Sequence, residues 1–374
     1  MSTLPIPVSV ITGFLGAGKT TLLNRLLKDP ALADTAVIIN EFGDVALDHL
    51  LVEQASDGIV TLSDGCLCCT VRGELVDTLA DLIDRLQTGR IRALARVVVE
   101  TTGLADPVPV LQSIMAHPAL VQAYRLDGVI TLVDAVNGMA TLDAHVEAVK
   151  QAAVADRIVI TKTDLLEDRS EIAGLRDRLR ALAPGAVIVD AMDPSAGVGA
   201  LLACGLYDPA TRTADVRRWL GEAAQHDQDH HHDDHDHHDH HDHVHHHHGH
   251  DERVRTWSLT HDGAVPWAAI ETFLDLLLSV HGEKVLRLKG IVELVEDPSR
   301  PLVVHAVQRL LHPPARLPAW PDGTRGTRLV LIAIDLPEDY VNRLFSIVTA
   351  KPSIDTPDRA ALADNPLAIP GFAR

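Results

Sequence analysis

Along its first 200 residues the chain alternates short β-branched runs with longer stretches in which Leu, Val and Ile return every three or four positions. The runs IPVSVIT (6–12), TAVIIN (35–40), RVVVET (96–101), LDGVITLVDA (126–135), RIVITK (157–162) and AVIVDA (186–191) read as strands. KTTLLNRLLK and RGELVDTLADLIDRLQ carry the helical repeat. Strands apolar on both faces and separated by helices predict a mostly parallel sheet covered by helices on both sides. Late in the chain the pattern changes. RVRTWSLTH reads as a strand, and PWAAIETFLDLLLSV as a helix opened by Pro266. EKVLRLKGIVELVE, PLVVHAVQRLL and TRLVLIAIDL follow as strands, with EDYVNRLFSIVTA as a closing helix. That order predicts a smaller α+β module with mainly antiparallel pairing.

Between the two patterns the periodicity vanishes. His226 to Asp251 reads HDQDHHHDDHDHHDHHDHVHHHHGHD, with 15 His, 8 Asp and no Lys or Arg in 26 residues. Its one large apolar residue, Val244, cannot offset the entropy of ordering, so a mobile linker is expected. The expected organisation is an α/β domain over 1–220, a His/Asp-rich linker over 221–252, a C-terminal α+β domain over 253–352 and a loose tail over 353–374.

The net charge is −19, and removing the eight aspartates of that tract brings it to about −11. An acidic chain with 3% aromatic residues lacks the cationic grooves and stacking platforms of a nucleic-acid binder. No apolar run approaches the roughly 20 residues of a membrane span. The amino terminus MSTLPIPVSVITG reads without the anatomy of a signal peptide, and four cysteines in 374 residues do not make a disulfide scaffold. A cytoplasmic protein that engages neither nucleic acid nor membrane is expected.

GFLGAGKT, Gly13 to Thr20, matches G-x-x-x-x-G-K-[ST] between an apolar strand and a leucine-rich helix, the context that gives the motif meaning. Gly13, Gly16, Ala17, Gly18, Lys19, Thr20 and Thr21 are the expected phosphate contacts. Glycines let backbone N–H groups turn inward around phosphate oxygens at a helix amino terminus. Lys19 brings a point charge to the β- and γ-phosphates, and the Thr20 hydroxyl is suited to Mg²⁺. The first domain is thus expected to be a P-loop NTPase.

The base is addressed by TKTD, Thr161 to Asp164, after another strand. An Asp164 carboxylate can accept two N–H donors from guanine, whereas adenine would leave its charge unmatched. The Lys162 stem can cover the base. The usual pattern carries Asn where this chain has Thr161, an exchange expected to weaken nucleotide affinity. In VVVETTGLADP, Glu100 at a strand end can hold Mg²⁺ or its water, and Gly103 lets backbone approach the γ-phosphate. NEFGDVALD (40–48) offers Glu41, Asp44 and Asp48. Either Glu41 or Asp44 could orient the attacking water, and a solvated acidic loop is the plain alternative.

LSDGCLCCTV places Cys66, Cys68 and Cys69 within four positions. Three thiolates on one turn suit Zn²⁺; a buried apolar cluster or a redox pair are the other readings. GFLGAGKT, NEFGD, GCLCC, ETTGLADP and TKTD stand in the order seen in the CobW-type P-loop GTPases, which are similar to the urease- and hydrogenase-maturation GTPases. LRLKGIVEL and VVHAVQRL resemble the CobW C-terminal domain, so the resemblance spans nearly the whole chain. It implies that Cys66, Cys68 and Cys69 form a C-x-C-C site, chiefly for Zn²⁺, with a fourth ligand from elsewhere.

The function so implied is a GTPase that cycles between GTP and GDP and delivers Zn²⁺, or a related divalent metal ion, to a client metalloprotein. A partner or a homodimer is expected to complete its catalytic site. Loss of the γ-phosphate would relax the 40–48 loop and alter the grip on metal. The histidine tract reads as a weak metal reservoir, or as an acidic spacer. The competing functions are a cobalt-handling GTPase of cobalamin biosynthesis and a metal buffer with a vestigial nucleotide site. An ATP-dependent kinase is disfavoured by Asp164. His305 reads as a satisfied strand histidine, Arg287 and Lys289 as a partner surface or a solvated strand face, Cys204 as a core or loop cysteine, and Trp257, Trp267 and Trp320 as core or interface anchors.

Overall fold

The structure is a computed structural model that describes residues 5–40, 59–61, 70–166, 168, 170–194, 196–202, 253–320 and 325–349. Its first part runs β1 (Ile6–Gly13), α1 (Lys19–Leu27), β2 (Thr35–Asn40), β3 (Ile59–Thr61), α2 (Thr70–Gln87), β4 (Arg96–Thr101) and α3 (Val108–Ala116). It continues with β5 (Tyr124–Asp134), α4 (Gly138–Ala144), α5 (Val146–Ala153), β6 (Arg157–Thr161), α6 (Ser170–Leu182), β7 (Val187–Asp190) and α7 (Val198–Leu202). The seven strands form one sheet in the order β3-β2-β4-β1-β5-β6-β7, and every pairing is parallel.

Successive strand residues serve opposite faces. Val97 and Val99 pack with Leu75 and Leu79 of α2 and Leu111 of α3, whereas Val98 packs with Leu22, Leu23 and Leu26 of α1. Truncating a fully buried leucine such as Leu79 would cost about 2–5 kcal/mol, because the close-packed layers around it relax only in part. This two-sided cover is why the strands read as continuous apolar runs. It also leaves their C-terminal edge as the exposed place where loops meet.

The second part runs β8 (Val254–His261), α8 (Trp267–His281), β9 (Val285–Leu294), β10 (Asp297–Val307), β11 (Leu310–Leu311), β12 (Ala315–Arg316), β13 (Thr327–Ile334) and α9 (Glu338–Thr349). Its strands order as β11-β10-β9-β13-β8, with β12 also on β10, and all these pairings are antiparallel. Helices α8 and α9 cover one face, where Phe273 and Phe345 meet edge to face at 5.3 Å. Trp257 lies in that core.

The other face docks on the first part. Ile332 pairs with Arg287 and Ala333 with Val285, so Leu286 is the extra residue of a bulge. It joins Val307, Ile332 and Ile334 in the same apolar cluster as Leu111, Ala153 and Val154. Arg287 and Lys289 are therefore not on a solvated face. Both are buried and grip Asp156, with Arg287 Nη2 2.8 Å and Lys289 Nζ 2.6 Å from its carboxylate. Alternation in β9 marks two faces, and the second is covered by the neighbouring domain rather than by water. No helix among the described residues is long and apolar enough to cross a membrane.

Candidate functional site

The P-loop sits where β1 leaves the centre of the parallel sheet and α1 begins. Gly13, at φ 141°, is required for close approach: a Cβ there would stand 2.4 Å from the Leu132 carbonyl oxygen of β5. Gly16 and Gly18 hold φ of 73° and 89°, and Ala17 between them is buried. Lys19 opens α1, and its ammonium lies across the loop, 2.9 Å from the Gly13 carbonyl and 3.3 Å from that of Phe14. Thr20 donates its hydroxyl to Glu100 Oε1 at 3.0 Å. Glu100 lies on adjacent strand β4, where it pairs in register with Ile11 and Ile39, so its buried carboxylate reaches the mouth of the loop. Thr21 follows on the exposed side of the helix.

Gly103 lies against the same loop. A Cβ on it would come within 2.6 Å of the Leu15 amide nitrogen, so its backbone touches that of the P-loop. Helix α5 holds this segment from behind. Gln151 Nε2 donates to the Gly103 carbonyl at 3.2 Å and the Ala105 carbonyl at 2.9 Å, and Lys150 pairs with Asp106 at 3.1 Å.

TKTD stands at the end of β6, separated from β4 by the two strands β1 and β5. The buried Thr161 hydroxyl donates to the Ala17 carbonyl at 2.8 Å, tying the base-side loop to the phosphate loop. Lys162 adopts a left-handed conformation at φ 59°, and its ammonium pairs with Asp134 Oδ2 at 2.6 Å. Burial opposes the charge on Asp134, but hydrogen bonds from Lys162, Asn137 and the Val136 N–H outweigh it and hold the carboxyl below the ordinary carboxylate range. Asp164 is exposed on the 3₁₀ turn Thr163–Leu165, and that turn is anchored by the Thr163 hydroxyl on Asp190 at 2.9 Å. Arg25 of α1 donates to the Ala191 and Ala196 carbonyls, fixing the segment after β7.

A cavity of about 470 Å³ opens on the β5 side of the P-loop, between Phe14, Gly16, Asp134, Asn137, His145 and Lys162. Phe14 stacks on His145 with ring centroids 4.4 Å apart. The cavity reaches the outer P-loop and Lys162 but neither Thr20 nor Asp164.

The structure thus brings together Gly13 through Thr20, Glu100, Gly103, Thr161 and Lys162 at one edge of the sheet. Glu41, Asp44, Asp48, Cys66, Cys68, Cys69, Cys204 and the histidine tract lie outside the described residues. The chain leaves the sheet at Asn40, paired with Thr101, and at Thr61, paired with Ile39, both on the edge that carries the P-loop. Among the described residues no three His, Cys, Asp or Glu side chains gather as metal ligands. Sequence reading missed Asp134, Gln151 and Arg25. Asp134 had a readable signal, as an acid ending a strand at the functional edge.

Residues 7–190 match the family described as CobW/HypB/UreG, nucleotide-binding domain, and residues 254–348 match the cobalamin synthesis protein cobW C-terminal domain. The chain is 33% identical to the zinc chaperone YjiA of Escherichia coli K12 over 342 residues, covering 91% of this chain and 98% of that one. It is 31% identical to the zinc chaperone CobW of a Sinorhizobium species, covering 88% and 93%. The crystal structure of Zn(II)-bound YjiA GTPase from E. coli superposes with a TM-score of 0.64 at 28% identity, over 92% of this chain and 99% of that one. A P-loop built at the centre of a parallel sheet, an antiparallel C-terminal module docked on its flank and likeness along nine-tenths of the chain lead to one assignment: the protein belongs to the CobW/HypB/UreG family of P-loop GTPases and carries the CobW C-terminal domain.

Proposed function

We propose that the protein is a cytoplasmic GTP-hydrolysing metallochaperone that carries Zn²⁺ on Cys66, Cys68 and Cys69 and passes it to a client metalloprotein. The observation that carries this reading is the meeting of Thr20 and Glu100 at 3.0 Å beside Lys19, in a chain similar to zinc chaperones over most of its length. A hydroxyl and a carboxylate are hard oxygen donors and fit Mg²⁺. Thr20 and Glu100 would hold that ion, which when bound neutralises charge on the phosphates.

Lys19 would sit against the β- and γ-phosphate oxygens, and the backbone N–H groups of the loop would bind the remaining oxygens. Water attacks the γ-phosphorus, the bond to the β–γ bridging oxygen breaks, and GDP and inorganic phosphate leave. Glu41 or Asp44 would orient that water. Lys162 would lie along the guanine plane while Asp164 accepts its two N–H donors. Exposed Leu15, Leu104, Leu165 and Met192, on loops that follow four different strands, offer an apolar rim for a client or a second copy.

Release of the γ-phosphate would free the 40–48 segment and open the cysteine site. The histidine tract would act as a metal reservoir between the domains, with the chain divided at about 220 and 252 as its sequence suggests. The deciding experiment measures Zn²⁺ affinity with GDP and with a non-hydrolysable GTP analogue, in the parent and in a Cys66/Cys68/Cys69→Ser variant. Tighter binding in one nucleotide state, lost with the cysteines, is expected; equal affinities would remove the coupling. Phosphate release by Lys19→Ala at the parental rate would instead leave a metal buffer. Deleting 226–251 should lower metal stoichiometry and spare hydrolysis.

A further inference from the structure

A second cavity, of about 360 Å³, lies away from the nucleotide edge, where the start of β5 faces β10 and β12 across the domain boundary. Arg125, Arg287, Arg316, His305 and His312 line it, together with two acids, Asp127 and Asp156. The acids are already committed. Asp156 binds Arg287, Lys289 and the Val129 N–H, at 2.6 to 2.9 Å. Asp127 accepts from Arg96 at 2.5 Å and from the Ser9 hydroxyl at 3.4 Å.

The cationic groups are less well satisfied. Arg125 stands 3.6 Å from Asp127 and Arg316 stands 3.7 Å from Asp297, both beyond hydrogen-bond length, and Arg316 Nη1 makes one long bond, at 3.5 Å, to the Arg300 carbonyl. Arg287 spends Nη1 on the Val154 carbonyl and Nη2 on Asp156, but its buried Nε has no hydrogen-bond partner among the described residues. The same holds for the buried Nε2 of His305, which corrects the expectation of a satisfied strand histidine. Both residues line this cavity, and a buried polar atom left without a partner is a cost that a neighbouring charge can offset. Three guanidinium groups repel a metal ion and attract an oxyanion.

We propose that this cavity binds a small oxyanion, a carboxylate or a phosphate monoester, that bridges the two domains. Its oxygens rest against the wall that carries Arg287 and His305. Arg125, from the first domain, and Arg316, from the second, close on its charge from opposite sides. The volume is at the small end of ligand pockets, so the occupant is a small molecule rather than a peptide. Because each domain contributes a cation, the ligand favours the docked arrangement over a separated one.

The test uses the full chain loaded with Mg²⁺ and GDP, so that the P-loop is filled, at pH 8 and constant ionic strength. Inorganic phosphate and succinate are titrated separately by calorimetry into the parent, Arg125→Gln and Arg316→Gln. The latter two side chains are partly exposed (28% and 35%), so these variants keep the fold. Saturable binding of one probe, weakened about tenfold in each variant, is expected, since that factor corresponds to one charge-assisted hydrogen bond. Preference for phosphate identifies a phosphate monoester as the natural class, and preference for succinate a carboxylate. No saturable binding of either probe, or equal binding in parent and both variants, would overturn the proposal. Neither result bears on GTP hydrolysis, which is measured separately.

Discussion

The Thr161 hydroxyl and the Ala17 carbonyl lie 144 residues apart in sequence and 2.8 Å apart in space. Where an amide was the usual expectation, a hydroxyl fastens the base-side loop to the phosphate loop. Thr161→Val keeps the volume and strips Ala17 of that donor at a buried site, a loss of about 1–3 kcal/mol. GDP affinity should therefore fall about tenfold in a fluorescent-nucleotide titration; an unchanged constant would show the bond to be idle. Asp134→Asn tests the neighbouring contact. It removes the charge that holds Lys162, and GDP binding should weaken severalfold. Stability should stay near the parental value in urea unfolding, because the Lys162 side chain is about one-third exposed. The glycines, Lys19, Thr20 and Asp164 were legible because their chemistry needs fixed residue types at fixed spacing. The Thr161–Ala17 bond and the pairing of Asp134 with Lys162 were not, since each depends on a partner that only the fold brings near.

Strands were the most legible elements. Six of the seven in the parallel sheet lie within two positions of where the β-branched runs placed them, whereas β3, only Ile59–Thr61, is too short to show a period. Strand order and the pairing of helices with loops are relations between distant segments, and no local pattern encodes them. Helix α5 illustrates the point. Its sequence VEAVKQAA reads as an ordinary amphipathic turn, yet it joins both halves of the molecule. Lys150 and Gln151 hold the segment 102–106 behind the P-loop, and just beyond its end Val154 and Asp156 receive Arg287 of β9. Gln151→Met preserves length and apolar packing but removes both donors to the Gly103 and Ala105 carbonyls. The γ-phosphate side of the site should loosen while the base side does not. Steady-state phosphate release is expected to fall about tenfold with GDP affinity within twofold of the parent. Equal losses in both would place the effect on general folding instead.

At the scale of the whole molecule, alternation in β9 was visible in the sequence but its meaning was not, because a solvated face and a face covered by another domain share one pattern. The covered face concentrates charge. Burial opposes ionisation of Asp156, but Arg287 and Lys289 outweigh it and hold the carboxyl far below the carboxylate range. Its contribution to stability is therefore present above the unfolded value near pH 4 and is not lost in mild acid. His305 behaves oppositely. Burial first, then the charges of Arg287 and Lys289 and a smaller contribution from His312, push the imidazole well below its usual 6.5, with Asp156 opposing them only in part. Below about pH 6.5 the unfolded chain takes up a proton that the native interface refuses, so stability falls as pH drops through that value. Between pH 7.5 and 5.5 the loss from this one group should be on the order of 1 kcal/mol, read as a lower urea midpoint. His305→Gln, which has no proton to gain, should flatten that part of the slope. The histidine tract is common to parent and variant and cancels from the difference. His281 and His312, also held below their usual values by burial, leave a residual slope in both. Identical slopes in the two proteins would mean that the His305 ring finds a proton-accepting path to solvent, and the domain boundary would then be wetter than its packing implies.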